Sequence, residues 1–251
     1  MHPKVVEVLP EIMAEELGAT LDRVAAEVLA ESRIAGPPVD AFRLAEDLKI
    51  CVAMDDRQPV RARFVRLQGL RGRPARGTIL LRPEPRPERR QWAVAHEIGE
   101  LLAYRVFDAL SIDPRVAAPR AREMVANYLA GRLLVPGTWL AADAAVCGWD
   151  LLCLKVRYQT ASHELLARRM LDMPPPVIVT IFDQEEIYFR AGNVPGQVPP
   201  PSPAEWDCYR SVHQGRRPCE RKGGWLTVCG WPVHEEGWKR EILRAQVEWL
   251  D

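Results

Sequence analysis

Apolar positions recur at helical spacing in the first fifth of the chain. Residues 5–33 keep this period up to the sequence GPP, which ends the predicted helix. A shorter helix follows Asp40, the predicted N-cap. Its apolar face comprises Val39, Phe42, Leu44, Ala45 and Leu48.

Short runs rich in β-branched residues predict a small sheet after these helices. The run ICVAM at 50–54 is strand-like, and ARFVRL at 62–67 and GTILLR at 77–82 predict two paired strands. Prolines then end the last strand, and a long helix is predicted to begin near Glu88. Another helix, at 119–135, opens with a proline suited to its first turn.

The second half of the chain predicts a different mixture of elements. Residues 149–172 read as two short helices in a helix-turn-helix, and MPPP at 173–176 reads as a linker. A hairpin, a proline-rich loop, the strand WLTVCGW and a terminal amphipathic helix, WKREILRAQVEWL, are predicted beyond it. We therefore predict an α+β protein with three parts, namely an N-terminal helical segment (1–34), a domain at 35–172 that includes the helix-turn-helix, and a small α+β domain at 177–251.

Composition narrows the functional classes. The chain is 47% hydrophobic and 27% charged, and its net charge of zero argues against a binder of polyanions. No apolar run is long enough to span a membrane, and acids lie where a signal peptide would be apolar. Six cysteines occur singly, which predicts reduced thiols and a cytoplasmic protein without a membrane partner.

Eleven arginines fall between residues 57 and 90, a stretch in which Glu84 and Glu88 are the only acids. A solvated loop and strand edge would explain this bias. A surface that binds an acidic partner would explain it as well.

Two acids of the long helix have no basic neighbour at helical spacing. Glu97 and Glu100 lie among apolar residues, and their only titratable helical neighbour is His96. His96 and Glu100 are four residues apart, so they project from one face, and Glu97 lies within reach of a water on an ion held there. Glu123 is the predicted third ligand from the next helix. Asn127, one turn later, is predicted to form a hydrogen bond to a ligand.

A divalent ion would neutralise this group of carboxylates. The alternatives are that Glu100 pairs with a distant arginine and that His96 is a core histidine whose hydrogen bonds are satisfied. Residue chemistry alone leaves these readings open.

Four segments, in order, resemble the ImmA/IrrE family of metallo-endopeptidases. They are PPVDAFRLAEDLKICV, GTILLRPEPRPERRQWAVAHEIGELL, EMVANYLAGRLLVP and YQTASHELLARRMLDM. The resemblance implies a zinc-dependent, gluzincin-like peptidase fold, mainly helical with a small sheet. It implies that His96 and Glu123 are ligands and Glu97 the general base. It also implies a protein substrate, a helix-turn-helix transcriptional repressor, in a stress or mobile-element response.

Glu100 departs from the family motif, which has histidine at this position. Two carboxylates and one imidazole cancel the charge of a divalent ion, which makes the ion a weaker Lewis acid. Oxygen-rich ligands also make Mn²⁺ or Fe²⁺ more competitive with Zn²⁺. Two functions follow as alternatives, a metallo-endopeptidase with an altered site or a non-catalytic module that binds a repressor or DNA.

Several further residues carry weaker signals. Tyr128 and His163 are candidates for the partner of the oxyanion. Arg168 and Arg169, on the second helix of the helix-turn-helix, would contact DNA, although Glu164 in its first turn favours internal packing. A second metal site would draw on residues whose spacing matches no zinc module: Cys208, His213, Cys219, Cys229 and His234.

Overall fold

The computed structural model describes residues 14–67, 76–113, 115 and 117–247. They pack as two units, an N-terminal unit of residues 14–143 and 156–162 and a C-terminal unit of residues 144–155 and 163–247. Helices and small sheets occur together, which confirms the predicted α+β class. The predicted domain boundaries stay predictions, and residues 5–13 of the first predicted helix lie outside the described ranges. No helix within those ranges is long and apolar enough to cross a bilayer.

The N-terminal unit combines helices with one three-stranded sheet. Strand β3 is central, pairing in parallel with β1 and antiparallel with β2, so β2 forms one edge. The pairing of β2 with β3 confirms the predicted pair of strands. The elements are α1 (Ala14–Glu31), α2 (Ala41–Asp47), β1 (Cys51–Met54), β2 (Ala62–Leu67), β3 (Arg76–Leu81), α3 (Pro87–Ala109) and α4 (Pro119–Leu134). Helices α5 (Gly137–Cys147) and α6 (Leu151–Arg157) come next in the chain.

Two polar side chains attach α2 to α3. Asp40 caps α2 as predicted, because its carboxylate accepts a hydrogen bond from the backbone N–H of Phe42 at 2.9 Å. Gln91 of α3 accepts from the N–H of Ala41 at 2.7 Å and donates to Asp40 at 3.1 Å. The first turns of both helices are therefore held in a fixed relation.

Close approach of α3 and α4 depends on a glycine. A Cβ atom on Gly99 would lie 2.6 Å from the backbone oxygen of Ala126, which is shorter than any ordinary contact. The buried apolar residues of the two helices include Val94, Ile98 and Val125. The packing brings the polar residues on the same stretch of α3 next to α4.

The C-terminal unit is a five-stranded antiparallel sheet with a helix on one face. Its strand order is β5-β4-β8-β7-β6, and its apolar core includes Phe182, Val212 and Leu243. A Cβ on Gly230 would meet Cys208 Sγ at 2.8 Å, so this glycine lets the helix lie close to the sheet. The elements are α7 (His163–Arg169), a 3-10 turn (Met170–Asp172), β4 (Val177–Asp183), β5 (Glu186–Gly192), α8 (Pro203–Gly215), β6 (Cys219–Gly223), β7 (Leu226–Glu235) and β8 (Trp238–Val247).

The predicted terminal helix is wrong, because its described part is strand β8. Central strands are buried on both faces, so Ile242 and Leu243 are both fully buried, and a continuous apolar run of this kind fits either period. Gly237, at φ 70°, turns the chain between β7 and β8. This turn was the signal of a hairpin.

The prediction of six reduced thiols is wrong for one pair. Cys147 and Cys153 form a disulfide, with their Cα atoms 6.0 Å apart, while the other four cysteines are free. Between them, Gly148 and Trp149 both have positive φ angles, 58° and 62°, which turn the chain back on itself. The cysteine spacing gave no indication of this local turn.

Candidate metal centre

Helix α3 presents three potential ligands at one place. Atoms of His96, Glu97 and Glu100 that can bind a metal lie within 4.8 Å of one another. Among the residues that the structure describes, this is the one group of three or more such side chains. Glu97 is buried, His96 is half-buried and Glu100 is exposed, so the group extends from the helix packing to the surface.

Asn127 of α4 sets the orientation of the His96 ring. The amide nitrogen of Asn127 donates to the Glu123 carboxylate at 2.9 Å, so its oxygen faces His96 Nδ1 at 3.2 Å. Nδ1 is therefore the donor in this contact, and the neutral imidazole then has its lone pair on Nε2. This is the arrangement in which a histidine binds a metal through Nε2.

Glu123 lies on the side to which that lone pair points. Its Oε2 is 3.7 Å from His96 Nε2. Two ligands on one zinc ion are about 3.3 Å apart when each bond is near 2.0–2.1 Å, so a small adjustment would let both bind one ion. The Glu123 side chain is 56% exposed, which leaves it free to adjust.

Glu97 differs from the other acids because it is buried and bonded to the sheet. It is 6% exposed, and its Oε2 accepts a hydrogen bond of 2.7 Å from the backbone N–H of Phe64 on the edge strand β2. Burial is the main cause that raises its pKa above the usual range, although the Phe64 bond opposes this shift. Repulsion from Glu100 and Glu123 raises the pKa further.

Within the described ranges, no lysine or arginine forms an ion pair with Glu97 or Glu100. No contact among the described residues therefore supports the alternative in which a distant arginine neutralises Glu100. Three carboxylates lie close to one imidazole, and a bound cation would neutralise part of their charge. The residues present fit a divalent ion.

The two candidates for the oxyanion partner, Tyr128 and His163, belong to different units. Tyr128 is on α4, where its ring has the Arg132 guanidinium 5.9 Å from its centre. His163 is the first residue of α7 and belongs to the C-terminal unit. A role for either residue stays a prediction.

The arginines of the helix-turn-helix are engaged within the C-terminal unit. Arg169 is 3% exposed and pairs with Asp172. Arg168 binds Glu164 at 2.7 Å and packs over the ring of Phe189. Both contacts favour internal packing of α7 over contact with DNA.

The cysteines and histidines proposed as a second metal site do not meet as a group within the described residues. His213 and His234 both contact the buried Glu241, at 3.0 and 2.6 Å. Cys208 Sγ instead lies near the backbone oxygen of Cys219, and Cys229 Sγ lies near Glu220. These side chains therefore have different partners, in agreement with a cysteine and histidine spacing that matches no zinc module.

Sequence reasoning did not find two residues on which the site depends. Phe64 contributes only its backbone N–H, which no side-chain pattern reveals. Gly99 lies between the acids of the motif, and a glycine inside a strong helical pattern was an available signal of close packing.

Part of the chain is similar to a known protein domain. Residues 53–170 match the IrrE N-terminal-like domain (Peptidase_M78), which confirms the predicted resemblance over that segment. The solved structure of a Mycobacterium tuberculosis transcriptional regulator aligns with a TM-score of 0.68 at 18% identity, covering 92% of this chain and 76% of that chain. At this identity the similarity shows the fold alone. Among curated protein sequences, none matches significantly.

Proposed function

From the IrrE N-terminal-like domain of residues 53–170, we propose that the chain is a metal-dependent endopeptidase. Its substrate is a cytosolic regulatory protein, a helix-turn-helix transcriptional repressor in a stress or mobile-element response. The observation that carries the proposal is the convergence of His96, Glu97 and Glu100 within 4.8 Å without a basic partner in the described ranges. The regulator with the same fold supports a regulatory setting.

Three side chains would hold the ion. His96 would bind through Nε2, the nitrogen left free by Asn127, while Glu100 and Glu123 would each offer a carboxylate oxygen. Zn²⁺ suits this set, and the second carboxylate makes Mn²⁺ or Fe²⁺ competitive. When bound, the cation polarises the scissile carbonyl and acidifies the neighbouring water.

Glu97 is the general base in this proposal. Its Oε2 is held by the Phe64 N–H, so the carboxylate has one orientation and Oε1 is left to take a proton from the attacking water. The same oxygen would return the proton to the leaving amine. A raised pKa suits this task, because the acid must both accept and release a proton near neutral pH.

The outer edge of β2 offers a place for the substrate backbone. The Phe64 N–H points away from β3 toward Glu97, and alternate residues of a strand point the same way. The backbone groups of Ala62 and Arg66 therefore also face outward. An extended peptide that paired with this edge would pass beside Glu97.

Two variants test the proposal. Glu97→Gln should retain one divalent ion per chain and lose cleavage of the partner by about a hundredfold or more, because the proton acceptor is gone. Glu123→Ala should lose the ion as well as the activity. Metal content by mass spectrometry and mapped cleavage products are the readouts. Full metal occupancy in Glu123→Ala would remove that residue from the ligand set.

A non-catalytic module that binds a repressor or DNA is the second candidate. Two observations favour it, namely the glutamate in place of the family's second histidine and the engagement of a Glu97 oxygen by Phe64. A module would give an unaltered cellular response in Glu97→Gln and an intact partner in the wild type. A peptidase would lose the response.

A further inference from the structure

Three arginines lie in or next to the edge strand β2 and have no ion pair with a described residue. Arg61 precedes the strand, Arg63 and Arg66 lie within it, and all three are exposed. Charged side chains on an edge strand can discourage pairing with other strands. Any edge strand could carry arginines for that purpose. Here they lie on the strand that contacts the candidate general base.

The geometry of β2 places these charges on both sides of Glu97. Phe64, whose N–H meets Glu97, is flanked by Arg63 one residue before it and Arg66 two residues after it. Successive side chains of a strand point to opposite faces, so Arg63 and Arg66 project from different faces of the sheet at the same edge. A strand lying beside β2 would have a guanidinium within reach on either face.

We propose that the outer edge of β2 binds an extended acidic segment, with Arg63 and Arg66 selecting aspartate or glutamate in the bound peptide. The proposal rests on the proposed function for the identity of the bound segment as substrate. Backbone pairing along Ala62 and Arg66 would supply affinity without sequence preference. The two guanidinium groups would supply the preference, because both lie within the strand and neither has an ion pair with a described residue.

The preference should depend on position in the peptide. Glu97, Glu100 and Glu123 gather at the centre of the site and would repel an acid placed beside them. Acids are therefore favoured in the flanking residues and disfavoured at the centre. A uniform attraction for negative charge would not produce this pattern.

The test uses metal-free, full-length protein, so cleavage cannot intervene. Three fluorescein-labelled twelve-residue peptides are built on one neutral sequence. The first carries four Glu in its flanks, the second carries four Gln in its flanks, and the third carries Glu at its centre. Fluorescence anisotropy at low salt measures their affinities. The flank-Glu peptide should bind about tenfold more tightly than the flank-Gln peptide, roughly threefold for each arginine, and high salt should remove the difference.

Variants assign the effect to β2. Arg63→Gln and Arg66→Gln should each remove part of the preference, and the double variant all of it. Arg43→Gln, at an exposed arginine of α2, makes the same change of charge and should keep the preference. If the double variant is unfolded by circular dichroism, the two single variants decide the result.

Equal binding of the flank-Glu and flank-Gln peptides to the wild type would overturn the proposal. A preference that survives the double variant, or an equal gain from central Glu, would also overturn it. Cleavage is assayed separately with metal. Loss of cleavage with the peptide preference intact would contradict the peptidase and leave the acidic binding edge in place.

Discussion

At the scale of single residues, Asn127 determines the orientation of the His96 ring. Its amide nitrogen is occupied by Glu123, so its oxygen must face Nδ1 of the ring. Four-residue spacing on a helix predicted that Glu123 and Asn127 share one face, and the ligand roles proposed for this face stay predictions. This spacing did not predict the tautomer, which depends on a contact between two helices.

The first prediction concerns the stability of the metal-free protein. Glu97→Gln should raise its Tm at pH 7, because a buried carboxylate beside Glu100 and Glu123 is replaced by a neutral side chain of the same shape. In a chain of this size each kcal/mol corresponds to about 2–4 °C. Thermal unfolding with a chelator, between pH 4 and pH 8, is the measurement.

The pH dependence has a definite sign. The pKa of Glu97 is raised in the folded state, so folding favours its protonated form. Its destabilising effect is absent below the usual value of 4.5, grows as pH rises, and is complete above the folded value. The gain in Glu97→Gln should shrink as pH falls toward 4. Glu46→Gln, at an exposed acid of α2, is the control, and an equal gain there would contradict the prediction.

The second prediction concerns Glu100, the exposed acid of the group. Glu100→His would leave a bound divalent ion one unit more positive, which acidifies water more strongly. We expect tighter zinc relative to manganese and a pH profile of activity shifted toward lower pH. Competitive metal titration and initial rates between pH 5 and pH 9 are the measurements. Unchanged metal preference and profile would show that Glu100 is not a ligand.

At the scale of elements, the contact between α3 and α4 builds the candidate centre. Gly99→Ala should destabilise the protein, although alanine favours a helix by about 1 kcal/mol over glycine. The added Cβ meets the backbone oxygen of Ala126 at 2.6 Å, and backbone cannot move aside as a side chain can. Overpacking of this kind costs about 1–3 kcal/mol, so the clash outweighs the helical preference.

Chemical denaturation and zinc affinity test this prediction together. Separation of α3 from α4 would move Glu123 away from His96, so affinity should fall along with stability. Gly36→Ala is the matched control, since a Cβ there meets nothing within 4 Å. Unchanged stability and affinity in Gly99→Ala would mean that the close approach is not needed.

Elements differ in how far the sequence predicts them. Helix α3 was predictable because its apolar residues keep a 3.6-residue period over many turns. Strand β8 was not, because a strand buried on both faces loses the alternation that marks strands. Helix α8 was missed even though Ser202 and Glu205 form a capping box at its start, since the prolines around them suggested a loop.

At the scale of the whole molecule, two groups of metal-binding residue types lie in different units. His96, Glu100 and Glu123 are all in the N-terminal unit, while Cys208, Cys219, Cys229, His213 and His234 are all in the C-terminal unit. Composition alone could not show which group binds a metal, since both contain several residues of metal-binding types. The distances among the described residues favour the N-terminal unit, where His96, Glu97 and Glu100 lie within 4.8 Å of one another and Glu123 Oε2 is 3.7 Å from His96 Nε2.

Hydrogen exchange in the presence and absence of zinc tests that choice. An ion held by His96 and Glu100 of α3 and Glu123 of α4 joins two helices, so unfolding that separates these helices also loses the bound ion. At a hundredfold excess over its Kd, zinc stabilises the bound state by about 2.7 kcal/mol, which slows exchange of the most protected amides by about a hundredfold. We expect this slowing in α3 and α4 and little change in β4 to β8. His96→Ala should abolish it. Slowing confined to β4 to β8, and retained in His96→Ala, would instead locate the ion among the cysteines and histidines of the C-terminal unit.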